Sequence, residues 1–271
     1  ENVPEGSVFK GFKDYTVQEL VVEARTTQYR CGTWLTPDGK LLRGELPPEA
    51  SAGHFGTKLQ SFILYQYYHA QVTEPLIVEQ LREWGVVIST GQVHRLITEG
   101  KEKFHAEKDE ILRVGLRVSG HIHVDDTGAR HQGKNGYATH IGNDWFAWFQ
   151  TTASKSRINF LTLLNAGHTD YVLSGVALEY MAAQKLPKSS LSKLASLGHE
   201  VYADERAWQR ALISVGISKP HHIRIATEGA LLGAALEHGL NPQLAIVSDD
   251  AGQFNILCHA LCWIHAERIL A

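Results

Sequence analysis

His121-Ile-His-Val-Asp-Asp-Thr-Gly-Ala-Arg130 decides the reading of this chain. It reads as a short strand that carries a pair of Asp residues and then breaks at Gly128. Leu244-Ala-Ile-Val-Ser-Asp-Asp-Ala-Gly252 repeats the idea far downstream. Each is an apolar run that ends in Asp-Asp and a small-residue turn. Two strands that each end in a carboxylate can hold a hard divalent cation between them. Two-metal phosphoryl-transfer sites need that arrangement to activate a nucleophile and stabilise a leaving oxygen. Successive side chains on a strand point to opposite faces, so one of Asp125/Asp126 and one of Asp249/Asp250 faces such a site. The alternative is that all four are turn or cap residues, roles that Asp favours.

Working outward, the stretch His121 to Thr127 is the first of three predicted strands. Gly136-Tyr-Ala-Thr-His-Ile141 is the second, after a turn at Gly133-Lys-Asn-Gly136. Asp144-Trp-Phe-Ala-Trp-Phe-Gln-Thr151 is the third, after Gly142-Asn143. Strands joined by such tight turns form an antiparallel meander. Ser154 to Leu164 reads as a helix capped by Ser154 or Ser156. Tyr171-Val-Leu-Ser174 reads as a further strand. Residues 177 to 240 read as mostly helical, with breaks at Pro187, Gly198, Gly216 and Pro220. Leu244 to Ser248 returns to strand, and a last helix is expected from near Gln253. A meander, then a helix, then a strand bearing a second Asp is the order of the ribonuclease-H-like α/β fold. Helices on both faces of a mixed sheet account for the unbroken apolar run Leu244-Ala-Ile-Val247.

Before the meander lie two further regions. Residues 1 to 50 read as a small β-containing lead-in. Thr27 to Leu35 and Lys40 to Leu46 flank the turn Pro37-Asp38-Gly39, and Pro47-Pro48 marks a linker. Residues 51 to 117 read as helical. Glu74 to Trp84, Gly85, Val86 to Ser89 and then Thr90-Gly-Gln-Val-His-Arg-Leu-Ile97 give the outline of a helix-turn-helix, with Ser89 as N-cap. Gln92, His94 and Arg95 would then lie on the helix entering a DNA groove. The alternative is a plain helical hairpin. The core from 118 to 271 would hold a helical insertion at about 177 to 240, because the two Asp pairs are 124 positions apart and a minimal core needs roughly half that.

Composition sets the outer bounds. The chain has 271 residues, 44% hydrophobic, with 26 Lys+Arg against 29 Asp+Glu. A net charge of −3 confines any nucleic-acid binding to local basic patches. Three Cys do not make a disulfide framework and suit a reducing cytoplasm. No run reaches membrane-spanning length, and no signal-peptide pattern stands at the N-terminus. The ends, Glu1 rather than Met and Ala271 within the apolar run His259 to Leu270, read as those of a piece of a longer protein.

The chain resembles DDE-type transposases of bacterial insertion sequences, of the insertion-sequence-sixty-six type. The matching pieces are His54-Phe-Gly-Thr-Lys-Leu59, Gly85-Val-Val-Ile-Ser89, His123-Val-Asp-Asp-Thr-Gly-Ala-Arg130, Ser154-Lys-Ser-Arg157, Val247-Ser-Asp-Asp250 and Cys262-Trp-Ile-His265. The resemblance implies a ribonuclease-H-like core acting on double-stranded DNA, with Asp125 and Asp249 as the first two catalytic acids and ligands of Mg2+ or Mn2+. It implies cleavage of transposon ends and strand transfer to target DNA, a homo-oligomer on DNA, and a place on the nucleoid in the bacterial cytoplasm, with no membrane. The family's third acidic residue, a Glu on a later helix, has no counterpart here, since Glu267 does not match its position. A catalytically incomplete DNA- or protein-binding module, or a ribonuclease-H-like nuclease, are the alternatives.

Other side chains carry two readings each. Arg130, Lys155 and Arg157 could hold DNA phosphates or be ordinary surface charge. Trp145, Phe146, Trp148 and Phe149 fit core packing better than base stacking. Cys258, Cys262 and His265 share one face if the last segment is helical, which fits a core face better than zinc. His265 could also touch phosphate or a carboxylate. Gly229-Ala-Leu-Leu-Gly233 and Gly239 mark helix packing or a turn.

Overall fold

The computed structural model describes residues 3–51, 53–131, 133–264 and 267. It divides into two compact units, Glu1–Lys101 and Glu102–Ala271.

In the first unit, β1 (Thr33–Leu35) and β2 (Leu41–Arg43) form an antiparallel hairpin. It is shorter than the predicted strands, and its turn uses Gly39 at φ 83°. After α1 (Pro48–Ser51), α2 (Thr57–Leu64) runs into a single π-helical turn at Tyr65–His69. Then come α3 (Glu74–Glu83) and α4 (Thr90–Thr98). Ile63, Ile77, Val78, Leu81, Ile88, Val93 and Ile97 form their shared core. The spacing Ile77-Val78-Leu81 puts one apolar face of α3 on that core. Gly85, at φ 80°, stops α3, and the Val86 amide bonds back to the Leu81 carbonyl at 2.9 Å. Ser89 caps α4 as expected, its hydroxyl accepting from the Gln92 amide at 3.2 Å.

The second unit opens with α5 (Glu102–Val118). Sequence grouped this helix with the preceding region. Its Leu112 and Leu116 are buried in the core of the second unit, so it belongs there. The meander follows as β3 (His121–His131), β4 (Lys134–Gly142) and β5 (Ala147–Thr152). Next are α6 (Arg157–Leu164), β6 (Tyr171–Leu173), α7 (Gly175–Ala183), α8 (Lys188–Ala195), β7 (Glu200–Tyr202), α9 (Glu205–Ser214) and α10 (Pro220–Glu237). The described part closes with β8 (Ala245–Ser248), a 3₁₀ turn at Gly252–Phe254 and β9 (Cys258–Leu261).

The main sheet has the order β5-β4-β3-β8-β9. The meander is antiparallel, whereas β8 is parallel to β3 and β9 is parallel to β8. Among the described residues this is a mixed α/β sheet with helices packed on one face rather than on both as expected, and β6 pairs only with β7 in a separate small sheet. The two sheet faces differ sharply. Ile122, Val124, Ile141, Trp148 and Ile246 are buried in one core with α5, α6 and α10 residues. On the opposite face His121, His123, Asp125 and Phe149 are exposed, and Ala245 and Val247 are half-buried. The apolar run at 244–247 therefore has Leu244 and Ile246 at 0% exposure and the alternate residues only partly covered.

Two expectations are corrected here. The last helix predicted from Gln253 is a 3₁₀ turn followed by strand β9. Cys258 lies on that strand, so the one-face set Cys258, Cys262 and His265 loses its helical basis, and His265 lies outside the described residues. The run was ambiguous because its apolar spacing suits a short edge strand as well as a helix. Within 177–240, α10 packs on α6, α7 and β6. It packs closely because Gly229 and Gly233 carry no Cβ; a Cβ on Gly233 would sit 2.4 Å from the Val172 carbonyl oxygen.

Candidate functional site

β3 and β8 are adjacent and parallel, and their last paired residues are His123 and Val247. Asp125 and Asp249 each lie two positions further on. Period-two alternation puts Asp125 on the side of His123, the open face of the sheet, and Asp249 is the first residue after β8. Asp125 is exposed and Asp249 half-buried. One Asp125 oxygen accepts from the Asp126 amide at 2.9 Å, and one Asp249 oxygen accepts from the Ala251 amide at 3.1 Å. The second bond shapes the turn that leaves β8.

The other members of the pairs differ. Asp126 points to the packed face, where it accepts from the Thr139 hydroxyl and from the Gln253 amide group at 3.1 Å. Asp250 is exposed. His140 stands opposite Asp125 across β3 and β4. Burial lowers the pKa of His140, the Asp125 carboxylate partly offsets this, and His123 adds to the lowering. Phe149 sits beside His140, with ring centroids 4.9 Å apart. Neither His140 nor Gln253 was singled out from sequence. The pairing register was the signal for the first, and the second is 127 positions from its partner.

Ser154-Lys-Ser-Arg157 forms the turn from β5 into α6. The Ser156 hydroxyl caps α6 by accepting from the Asn159 amide at 3.3 Å, which leaves Arg157 in the first helical turn. Arg157 faces inward. It donates to the Tyr180 hydroxyl at 3.3 Å, to Gln184 at 3.2 Å and to the carbonyl of Gly252. It also lies 3.8 Å from Glu228, which is 1% exposed. Tyr180 donates to Glu228 at 2.9 Å, and Arg224 pairs with the same carboxylate at 3.1 Å. Burial, and then the Glu228 charge, push Tyr180 up to about 12. The charge of Arg157 is thus spent on Glu228 and on fixing the loop that follows Asp249 and Asp250.

Arg130 and Lys155 are exposed, and the Lys155 ammonium lies 5.5 Å from the Tyr137 ring centroid. Trp148 is buried as expected, Phe146 is half-buried, and Trp145 is 78% exposed. In the first unit, Gln92 is half-buried and His94 and Arg95 are exposed on α4. Arg95 donates to Gln92 at 2.8 Å, and His94 lies 3.1 Å from Glu74.

Asp125 and Asp249 offer hard oxygen donors suited to Mg2+ or Mn2+, with water completing the shell. Among the described residues the one group of three or more potential metal ligands with mutually close donor atoms is His168, Asp170 and His238. Sequence reading passed over it, although His168-x-Asp170 was its local signal. No helix among the described residues is long and apolar enough to cross a membrane.

No family model and no solved structure matches the chain. A curated protein of Sinorhizobium fredii (strain NBRC 101917 / NGR234), described as "Uncharacterized protein y4jO", is 40% identical over 162 residues. The match takes 59% of this chain and 50% of that protein, so the chain spans about half the length of the curated relative it matches.

Proposed function

We propose that the protein is a DDE-type transposase of bacterial insertion sequences, with a ribonuclease-H-like core in its second unit and a DNA-binding helical region in its first. One observation carries the reading. Two Asp residues, 124 positions apart in sequence, each lie two positions past the last paired residues of the neighbouring parallel strands β3 and β8. A meander, a helix and a strand leading to a second Asp occur in the order that the resemblance implies.

The substrate is double-stranded DNA, cleaved at transposon ends and joined through its 3′-hydroxyl to target DNA. Asp125 and Asp249 would hold Mg2+ or Mn2+. When bound, the metal supplies activation of the attacking oxygen and charge stabilisation for the departing one. Arg157 positions the Asp249 loop through the Gly252 carbonyl. Arg130 and Lys155, both exposed, would meet phosphate, Lys155 by leaving the Tyr137 ring, and Gln92, His94 and Arg95 would meet DNA from α4 by exchanging their present contacts, Arg95 with Gln92 and His94 with Glu74. Pairing of two ends by a homo-oligomer, and a nucleoid location, follow from the same reading.

The test uses the complete gene product, duplex DNA bearing the element's ends, and Mg2+. Wild type nicks the ends and joins them to target. Asp125→Asn keeps its circular dichroism and its DNA binding but neither nicks nor joins. Wild-type joining by Asp125→Asn would overturn the proposal. DNA binding without metal-dependent cleavage in the wild type would replace it with a binding module.

A further inference from the structure

We propose that His168, Asp170 and His238 form a binding site for a late first-row divalent cation of the zinc class, with a fourth position open to solvent. The donor atoms of all three lie within 4.8 Å of one another. His238 Nε2 is 2.8 and 3.0 Å from the two Asp170 oxygens. The imidazoles of His168 and His238 stack at 3.6 Å between centroids and 6° between planes. Donors sharing a tetrahedral zinc ion sit roughly 3.4 Å apart at ordinary Zn–N and Zn–O lengths. The His238–Asp170 separations fall somewhat below that value, and all three donors fall within 4.8 Å of one another.

The donor set selects the cation. Two imidazoles and one carboxylate suit zinc and its neighbours, whereas Mg2+ prefers oxygen throughout. Three protein ligands leave a place for water, and His168 is exposed. Asp170 and His238 are more enclosed, with side chains 19% and 28% exposed. Their hydrogen bond occupies the place a cation would take, so a bound cation replaces it. Arg113 carries the positive charge near His168 and is itself paired with Glu110.

The backbone frame is built before any ion arrives, and sharing an ion requires the two stacked rings to turn toward it, since an imidazole nitrogen ligates in its ring plane. His168 and Asp170 stand on the loop between α6 and β6, turned by Ala166 at φ 49° and Gly167 at φ 94°. Asn165, 1% exposed, ties that loop to α10 by donating to the Leu231 carbonyl at 3.1 Å. His238 caps the end of α10, and Gly239 at φ 96° turns the chain so that the Leu240 amide bonds to the Ala235 carbonyl at 2.9 Å. Asn241 then bonds the Leu116 carbonyl at 3.1 Å and the Ser119 carbonyl at 2.8 Å, just before β3 and β8 begin. The trio therefore lies toward the start of these strands, and Asp125 and Asp249 lie beyond their paired ends. A cation here cross-links the α6–β6 loop to α10.

Calorimetric titration of the untagged protein with Zn2+ tests this. The wild type binds one Zn2+ at the trio. His168→Ala, an exposed change that leaves the circular dichroism intact, weakens binding beyond the roughly ten- to hundredfold typical of losing an outer-shell partner. Asp170→Asn does the same, and His105→Ala, exposed on α5, binds as wild type. Absence of stoichiometric Zn2+ binding, wild-type affinity in both His168→Ala and Asp170→Asn, or equal binding of Mg2+ at the same residues would each overturn the proposal.

Discussion

Asp125 and Asp126 are chemically identical neighbours with opposite tasks. Asp126 is locked to the packed face by Thr139, which is 1% exposed, and by Gln253. Asp126→Ala strands the Thr139 hydroxyl in the core without its acceptor, a loss of about 1–3 kcal/mol. Asp125→Ala removes an exposed carboxylate, and its stability stays within about 0.5 kcal/mol of wild type. Urea denaturation of the two variants checks the contrast; equal losses would contradict the assignment of faces. That the two residues face apart was legible from strand alternation alone. Which one is tied was not, because the ties come from residues 13 and 127 positions away. Arg157 makes the same point. Its Ser-capped helix start could be read from Ser156, but its commitment to Glu228 and Gly252 arises only when α6, α10 and the loop after β8 meet.

At the scale of elements, glycines report how closely helices approach. Gly233 faces the Val172 carbonyl in β6, where an added Cβ would lie 2.4 Å away. Val172 is 1% exposed, so that backbone has no room to retreat. The helix-propensity gain of Gly→Ala, about 1 kcal/mol, is outweighed by overpacking of about 1–3 kcal/mol or more. Gly233→Ala therefore lowers the unfolding midpoint of the second unit. Gly91, in α4, has nothing within 4 Å of its added Cβ, so Gly91→Ala raises the midpoint of the first. Thermal scans read both signs, and stabilisation by Gly233→Ala would contradict the packing described. The Gly229–Gly233 spacing announced this contact in the sequence. So did the turn glycines and the three meander strands, because each is set by local φ preference and period. β7 and β9 were not legible: they have three and four residues, too few for a period, and their place is fixed by partners elsewhere in the chain. α5 was assigned to the wrong neighbour for a related reason. Its amphipathic face was plain, but what covers Leu112 and Leu116 is a tertiary fact.

For the molecule as a whole, a net charge of −3 leaves function to local constellations. The sequence placed two carboxylate-bearing strands in one α/β sheet, and β3 and β8 are indeed neighbours in the main sheet. The central claim is that Asp125 and Asp249 share one divalent ion across that pair. A Mn2+ titration followed by electron paramagnetic resonance tests it most directly, using wild type, Asp125→Asn, Asp249→Asn and the double variant. A shared ion makes each single variant lose the bound-Mn2+ population and makes the double variant little worse than either, as coupled partners in a cycle behave. Single variants that bind Mn2+ like wild type, or losses that add as they would for independent sites, would contradict the account.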